Sequence, residues 1–190
     1  MRSLEELIRE QTNLSVTQVA HLQHLASDWQ LIADLSFADL AIWVPIKDSG
    51  FIAMSHVRAA TAATVFPKDF EGEIRADLPS GESVESFPIA FNGQVIAKLN
   101  RHRNPMVTRS LGRLESTYQE IAQQLIEMVG EGTFPFDFAI SSLNPSPRVG
   151  DGFIRLDRSG VIIYASPNGR SAFSRLGWEG ELEEIGRAHV

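Results

Sequence analysis

The chain has 190 residues, 43% of them hydrophobic, with a net charge of -7 and no cysteine. That length suits one medium domain plus part of a second. The acidic balance argues against a direct grip on nucleic acid, whose binding domains are usually basic. The lack of cysteine excludes disulfide scaffolds, Cys-ligated zinc, iron–sulfur clusters and thiol catalysis.

Met1 to Gln11 carries Glu5, Glu6 and Glu10, unlike a signal peptide, and no apolar run reaches the length of a membrane span. The expectation is a cytoplasmic protein with no membrane contact. Ser3-Leu-Glu-Glu6 and Ser15-Val-Thr-Gln18 are capping boxes. The first opens a short helix. The second opens a longer one reaching about Leu35, with Val19, Leu22, Leu25, Trp29 and Ile32 as its apolar stripe. Phe37 to Ile46 and Phe51 to Val57 read as strands of a hairpin turning at Lys47-Asp-Ser-Gly50. Arg58 to Phe66 is Ala/Thr-rich and fits no one element; Pro67 to Ser80 is loop-like, with a short strand near Ile74.

Val84 to Phe91 is a strand that Pro88 assigns to an edge or bulge. Asn92-Gly93 predicts a tight hairpin turn, since both positions need positive φ. Gln94 to His102 is the return strand, with Val95, Ala97 and Leu99 on one face and Ile96 and Lys98 on the other. A long helix is expected over Arg109 to Val129, ended by Gly130 and Gly132. Its residues Leu111, Leu114, Tyr118, Ile121, Leu125 and Met128 recur at alternating spacings of three and four. That seam suits a coiled-coil dimer, and it equally suits a helix packed on its own sheet. Thr133 to Gly150 is a Pro/Ser-rich linker. Beyond it come strands at Phe153 to Leu156 and Val161 to Ala165. Between them lies the turn Asp157-Arg-Ser-Gly160, and Ser166-Pro167 opens a helix.

No phosphate-binding glycine loop, dinucleotide fingerprint or nucleophile elbow occurs. His21 and His24 lie one helical turn apart without an acidic partner on the same face, so no metal site is assigned. His56 and His102 sit at strand ends, where surface placement is expected; His102, between Arg101 and Arg103, is a candidate for holding an anionic ligand. Asp34 and Asp39 read as helix-end caps. Trp29, Trp43 and Trp178 are core material first, and Trp43 is the candidate to stack on a ligand. No catalytic residue is identified.

Three segments carry a resemblance. Trp29-Gln-Leu-Ile-Ala-Asp-Leu-Ser-Phe-Ala-Asp39, with Trp43-Val44 after it, resembles the N-terminal GAF domain of actinobacterial sensor histidine kinases of the PdtaS type. Leu114-Glu-Ser-Thr-Tyr118 and Glu131-Gly-Thr-Phe-Pro135 resemble the helix leaving that domain. Gly150-Asp-Gly-Phe-Ile-Arg-Leu-Asp157 through Tyr164-Ala-Ser-Pro-Asn168 resembles the entry to its PAS domain, with Asp157, Gly160, Val161 and Asn168 meeting the PAS pattern as structural residues.

The resemblance implies an α+β fold: a GAF-like antiparallel sheet with packed helices, linked to a truncated PAS domain. The expected division is a GAF-like domain with its signalling helix over 1–132, a linker over 133–149, the start of PAS over 150–184, and a non-native tail over 185–190. The implied function is the sensing region of a two-component kinase that autophosphorylates on histidine and phosphorylates a response regulator. ATP and Mg belong to the kinase part and no cofactor to this chain. A homodimer and a small-molecule or nucleotide ligand are implied as partners. Arg58 to Glu85 is shorter than the family's usual stretch, which implies a reduced pocket. The alternative is a GAF-PAS module on another output, such as a transcription regulator, phosphatase or cyclase.

Overall fold

The computed structural model describes residues 3–106, 112–135 and 148–182. The chain divides into two compact units, residues 1–146 and 147–190.

The first unit opens with two helices whose capping boxes both form. In α1 (Leu4–Gln11) the Ser3 hydroxyl accepts from the Glu6 N–H, and the Glu6 carboxylate accepts from the Ser3 N–H. Ser15 and Gln18 repeat the exchange at α2 (Val16–Asp28). Each pair satisfies donors that a helix start otherwise leaves orphaned. The helix expected to reach Leu35 is two helices, broken at Trp29, with α3 covering Gln30–Ser36. Phe37 then adopts a left-handed conformation, φ 51° and ψ 41°, and its N–H closes α3 on the Ala33 and Asp34 carbonyls. That cap keeps Phe37 out of the strand it was expected to begin.

Five strands follow: β1 (Asp39–Pro45), β2 (Phe51–Val57), β3 (Ile74–Arg75), β4 (Val84–Phe91) and β5 (Gln94–His102). They form one antiparallel sheet in the order β3-β2-β1-β5-β4. Pro88 thus lies on an edge strand, where its missing N–H costs no ladder bond. Asn92 and Gly93 make the two-residue turn, with φ of 51° and 76°. The alternation expected on β5 fails at one point. Ala97 pairs with Ile89 and Val95 with Ala90, so Ile96 is the extra residue of a bulge. The bulge turns Ile96 inward with Ala97 and Leu99, and leaves Val95 56% exposed.

One face of the sheet carries Leu40, Ile42, Val44, Ile52 and Leu99 into the main core, against Ile8, Leu22, Leu25, Ile32, Ile126 and Val129 of the helices. Burying each such side chain stabilises by about 1.5–3 kcal/mol. The long helix α4 (Arg113–Glu131) packs on α3 and β4. It starts later than expected, because Gly112 is extended, with φ -71° and ψ 165°, and its N–H donates to the Glu115 carboxylate. Gly130 stays helical; Gly132, at φ 75°, ends the helix. A Cβ there would stand 3.0 Å from the Ala90 carbonyl oxygen, so glycine serves both the conformation and the close approach.

The second unit contains a short 3-10 turn at Val149–Asp151, an antiparallel pair of β6 (Ile154–Leu156) and β7 (Ile162–Ala165), and α5 (Pro167–Arg175). Its small core joins Ile162, Ala165 and Leu182, with Phe173 against them.

Candidate functional site

The opposite face of the same sheet is built differently. Alternate residues of β1 point there, namely Asp39, Ala41 and Trp43, and their antiparallel partners across β2 and β5 include His56, Ala53, Asn100 and His102. The irregular segment after β2 folds back over this face. Two buried carboxylates hold it there. Asp39 accepts from the Ala59 N–H at 2.9 Å, the Val65 N–H at 2.7 Å and the Thr64 hydroxyl. Asp34 accepts from the Ala60 N–H at 2.8 Å and from Gln30, while its backbone carbonyl accepts from Thr61. Neither residue is the helix cap expected from sequence. A carboxylate inside an apolar run is buried at a heavy cost unless donors surround it, and the 59–66 backbone supplies them. Asp39 within Phe37 to Ile46 was the signal available in the sequence.

Beneath that segment the side chains are aromatic and polar. Trp43, 1% exposed, stacks on Phe70 with centroids 5.8 Å apart, and the Arg75 guanidinium lies 5.4 Å over its ring. His56 stacks on Phe70 at 4.6 Å, and Phe66 meets His56, Phe70 and His102 edge-on. His56 is also not the surface residue expected: its side chain is 6% exposed, with Nε2 3.2 Å from Asp69. Asp69 in turn accepts from Arg58 at 2.8 Å, and that guanidinium holds its carboxyl below the usual range. His102 is likewise covered. Burial pulls its pKa down to about 4, against the opposing pull of Asp39 and with Arg75 adding to the drop, so it is neutral at physiological pH.

Buried polar atoms are normally paired, yet on this face Trp43 Nε1, Asn100 Oδ1 and His102 Nε2 have no hydrogen-bond partner, and His56 Nδ1 has only Glu71 Oε1 at 3.7 Å. Each costs about 1–3 kcal/mol when left without a partner. They mix donor and acceptor capacity around stacked rings, an arrangement suited to a planar ligand with polar edges and offering no nucleophile–base pair. Among the described residues no group of three or more His, Cys, Asp or Glu side chains could hold a metal ion.

The expected seam lies elsewhere, on α4. The side of α4 that enters the core is Ile121, Ala122, Ile126 and Val129, so the seam runs along its border. Ile121 is buried, Leu125 and Met128 are half-buried, Tyr118 stacks on Phe37 at 6.4 Å, and Leu114 is 45% exposed. Leu111 lies outside the described residues, beyond the cap at Gly112. One residue that the sequence placed only beside His102 connects sheet and helix. Arg101, 4% exposed on β5 between Asn100 and His102, donates to Glu85 at 2.9 Å and to Gln123 of α4 at 3.3 Å, over the Phe87 ring.

In the second unit Asp157 accepts from the Ser159 and Val161 N–H groups and closes the β6–β7 turn, where Gly160 takes φ 81°. Asn168 donates to the Gly150 carbonyl at 3.0 Å, and Ser166 accepts from Phe153 and Gly169. These three positions hold backbone together.

Residues 4–82 match the family described as the GAF domain of histidine kinase PdtaS. The sensor histidine kinase PdtaS of Mycobacterium tuberculosis is 38% identical over 213 residues, covering 97% of this chain and 42% of that protein. The PdtaS of Mycolicibacterium smegmatis is 36% identical over 211 residues, covering 96% and 42%. A solved structure described as the sensor region of a sensor histidine kinase shares 41% identity with a TM-score of 0.81, covering 96% of this chain and 71% of its own. The chain spans about two-fifths of the length of the curated relatives it matches. Because 97% of 190 residues is about 184, this chain leaves about 29 of the 213 aligned positions unfilled. With an α+β fold of matching layout and this identity to a sensor region, the chain belongs to the PdtaS family of sensor histidine kinases, and it spans their signal-sensing region with its GAF domain.

Proposed function

We propose that the polar–aromatic face of the sheet is the signal-binding site of a cytoplasmic two-component kinase, and that α4 carries the response toward the output. The buried atoms without a hydrogen-bond partner on Trp43, Asn100 and His102 carry this reading. A small molecule or nucleotide with a planar base would stack with the rings and pair those atoms. The two acids that pin the covering segment make the site close over its ligand. The coupling element is Arg101, which touches Gln123 while its neighbours Asn100 and His102 face the ligand. A ligand that displaces β5 changes that contact, which is the differential interaction a population shift requires.

On the same reading the second unit is the beginning of a PAS domain, and two copies pair along the exposed part of the α4 seam around Leu114. The complete kinase uses ATP and Mg, autophosphorylates on a histidine and passes the phosphoryl group to a response regulator. Sequencing the gene past codon 184 tests the output: a phosphoacceptor histidine box and an ATP-binding region support the kinase, and another output domain removes it. Sedimentation of wild type and Leu114→Asp tests pairing. A dimer that dissociates in the variant is expected, and a monomer in both would overturn it.

A further inference from the structure

A second opening lies away from that face. A cleft of about 490 Å³ is walled by α2, by the β4–β5 turn and by the residues that follow α4; Thr17, His21, Phe91, Asn92, Thr133 and Pro135 are among its lining. The three walls are distant in sequence and meet where the chain leaves α4.

His21 is the informative residue. Its ring tilts onto Phe91 with centroids 4.7 Å apart. The nearby Ala90 carbonyl favours the proton on the ring, a smaller effect than burial. Its Nε2 is buried without a hydrogen-bond partner, and in the neutral imidazole with the proton on Nδ1 it is a lone-pair acceptor. Burial, with His24 nearby, lowers the pKa of the imidazole, which keeps that lone pair available at neutral pH. Among the described residues no Lys, Arg, Asp or Glu side chain lines the cleft. The described lining is thus short of fixed charge, and its polar groups are hydroxyls, an amide and imidazoles, of which His24 lies 3.6 Å from Asp28.

We propose that this cleft is an effector site, separate from the sheet face, for a small uncharged ring compound that donates an N–H or O–H to His21 Nε2 and lies against Phe91. The volume and the mixture of one aromatic wall with a few placed polar groups match what small-ligand sites require. The position gives the site its consequence. An occupant bridges α2 to Gly132–Pro135, the segment by which α4 continues into the rest of the protein, and so holds the helix end in one arrangement. Gly132 already sits against the Ala90 carbonyl, next in sequence to the Phe91 ring on which His21 lies, so the α4 terminus and the cleft share this stretch of β4.

Indole, flat and carrying one N–H, is a suitable probe. Nitrogen-15 spectra of the imidazoles in the 190-residue chain should show the His21 Nε2 signal moving saturably from an unbonded toward a hydrogen-bonded position as indole is added. Amide exchange at Thr133 should slow in parallel. His21→Phe keeps an aromatic ring and removes the acceptor; at least a tenfold loss of affinity is expected. Ala20→Phe, at an exposed position of α2 on the cleft wall, fills the space without touching the core, and should abolish binding with an unchanged melting temperature. Trp43→Phe should leave indole binding here intact, which separates this site from the sheet face. An Nε2 signal that does not respond, one already bonded to water that indole fails to displace, or affinity unchanged by both cleft variants would each overturn the proposal.

Discussion

The two faces of one sheet differ more than the two units of the chain do. Toward the helices, Leu40, Ile42 and Val44 meet apolar partners. On the other side, the residues that alternate with them, Asp39, Ala41 and Trp43, join histidines, an asparagine and an irregular covering segment. Successive side chains of a strand point to opposite faces, so one stretch of backbone serves both purposes. The difference teaches where function was accommodated: the helix side carries the stability that lets the other side retain unpaired polar groups.

That contrast can be broken by substitution. Ile42→Ala on the helix side removes buried volume that the core cannot refill, and should cost about 2–5 kcal/mol in denaturant unfolding. Asp39→Asn, on the other side, weakens charge-assisted bonds to Val65 and Thr64 and should cost about 2–3 kcal/mol. Its loss should also be local: exchange at amides 59–66 should rise well before the helices unfold, whereas Ile42→Ala loosens the whole unit together.

The pH dependence belongs to the polar face too. His102 has a pKa of about 4 folded against an ordinary 6.5. Between these values the unfolded chain binds the proton and the folded chain does not. Stability should therefore fall as pH drops from about 6.5 toward 4, by on the order of 2 kcal/mol once solvent screening is allowed for. His21, also lowered, acts in the same direction. His102→Gln should flatten much of this slope in melts recorded across that window; an unchanged slope would place the titration elsewhere. Trp43→Phe removes an unpaired N–H but also shrinks a buried bicyclic ring by three heavy atoms, and should cost about 1–3 kcal/mol.

Much of the frame was legible in the sequence because it rests on local chemistry. The Ser3 and Ser15 capping boxes, the Asn92-Gly93 turn and the edge placement of Pro88 each depend on a few adjacent residues. The failures share a different cause. Ile96 turned inward because a bulge displaced the register, and bulges depend on the partner strand. His56 and His102 were buried by a segment whose fold depends on Asp34 and Asp39, residues 20 or more positions away from the N–H groups they accept. The α4 seam was visible as a spacing, but which side faced the core was decided by α3 and β4. The site was therefore less readable than the scaffold, since it is assembled from contacts that no local pattern encodes.

The central claim is that the polar–aromatic face receives the signal. Trp29, Trp43 and Trp178 give three indole N–H resonances, and Trp43→Phe assigns the one on this face. Titrating the chain with a panel of nucleotides, cyclic dinucleotides included, should move the Trp43 signal saturably and leave Trp29, in the opposite core, in place. A ligand that raises the melting temperature while the Trp43 signal stays fixed would contradict the account.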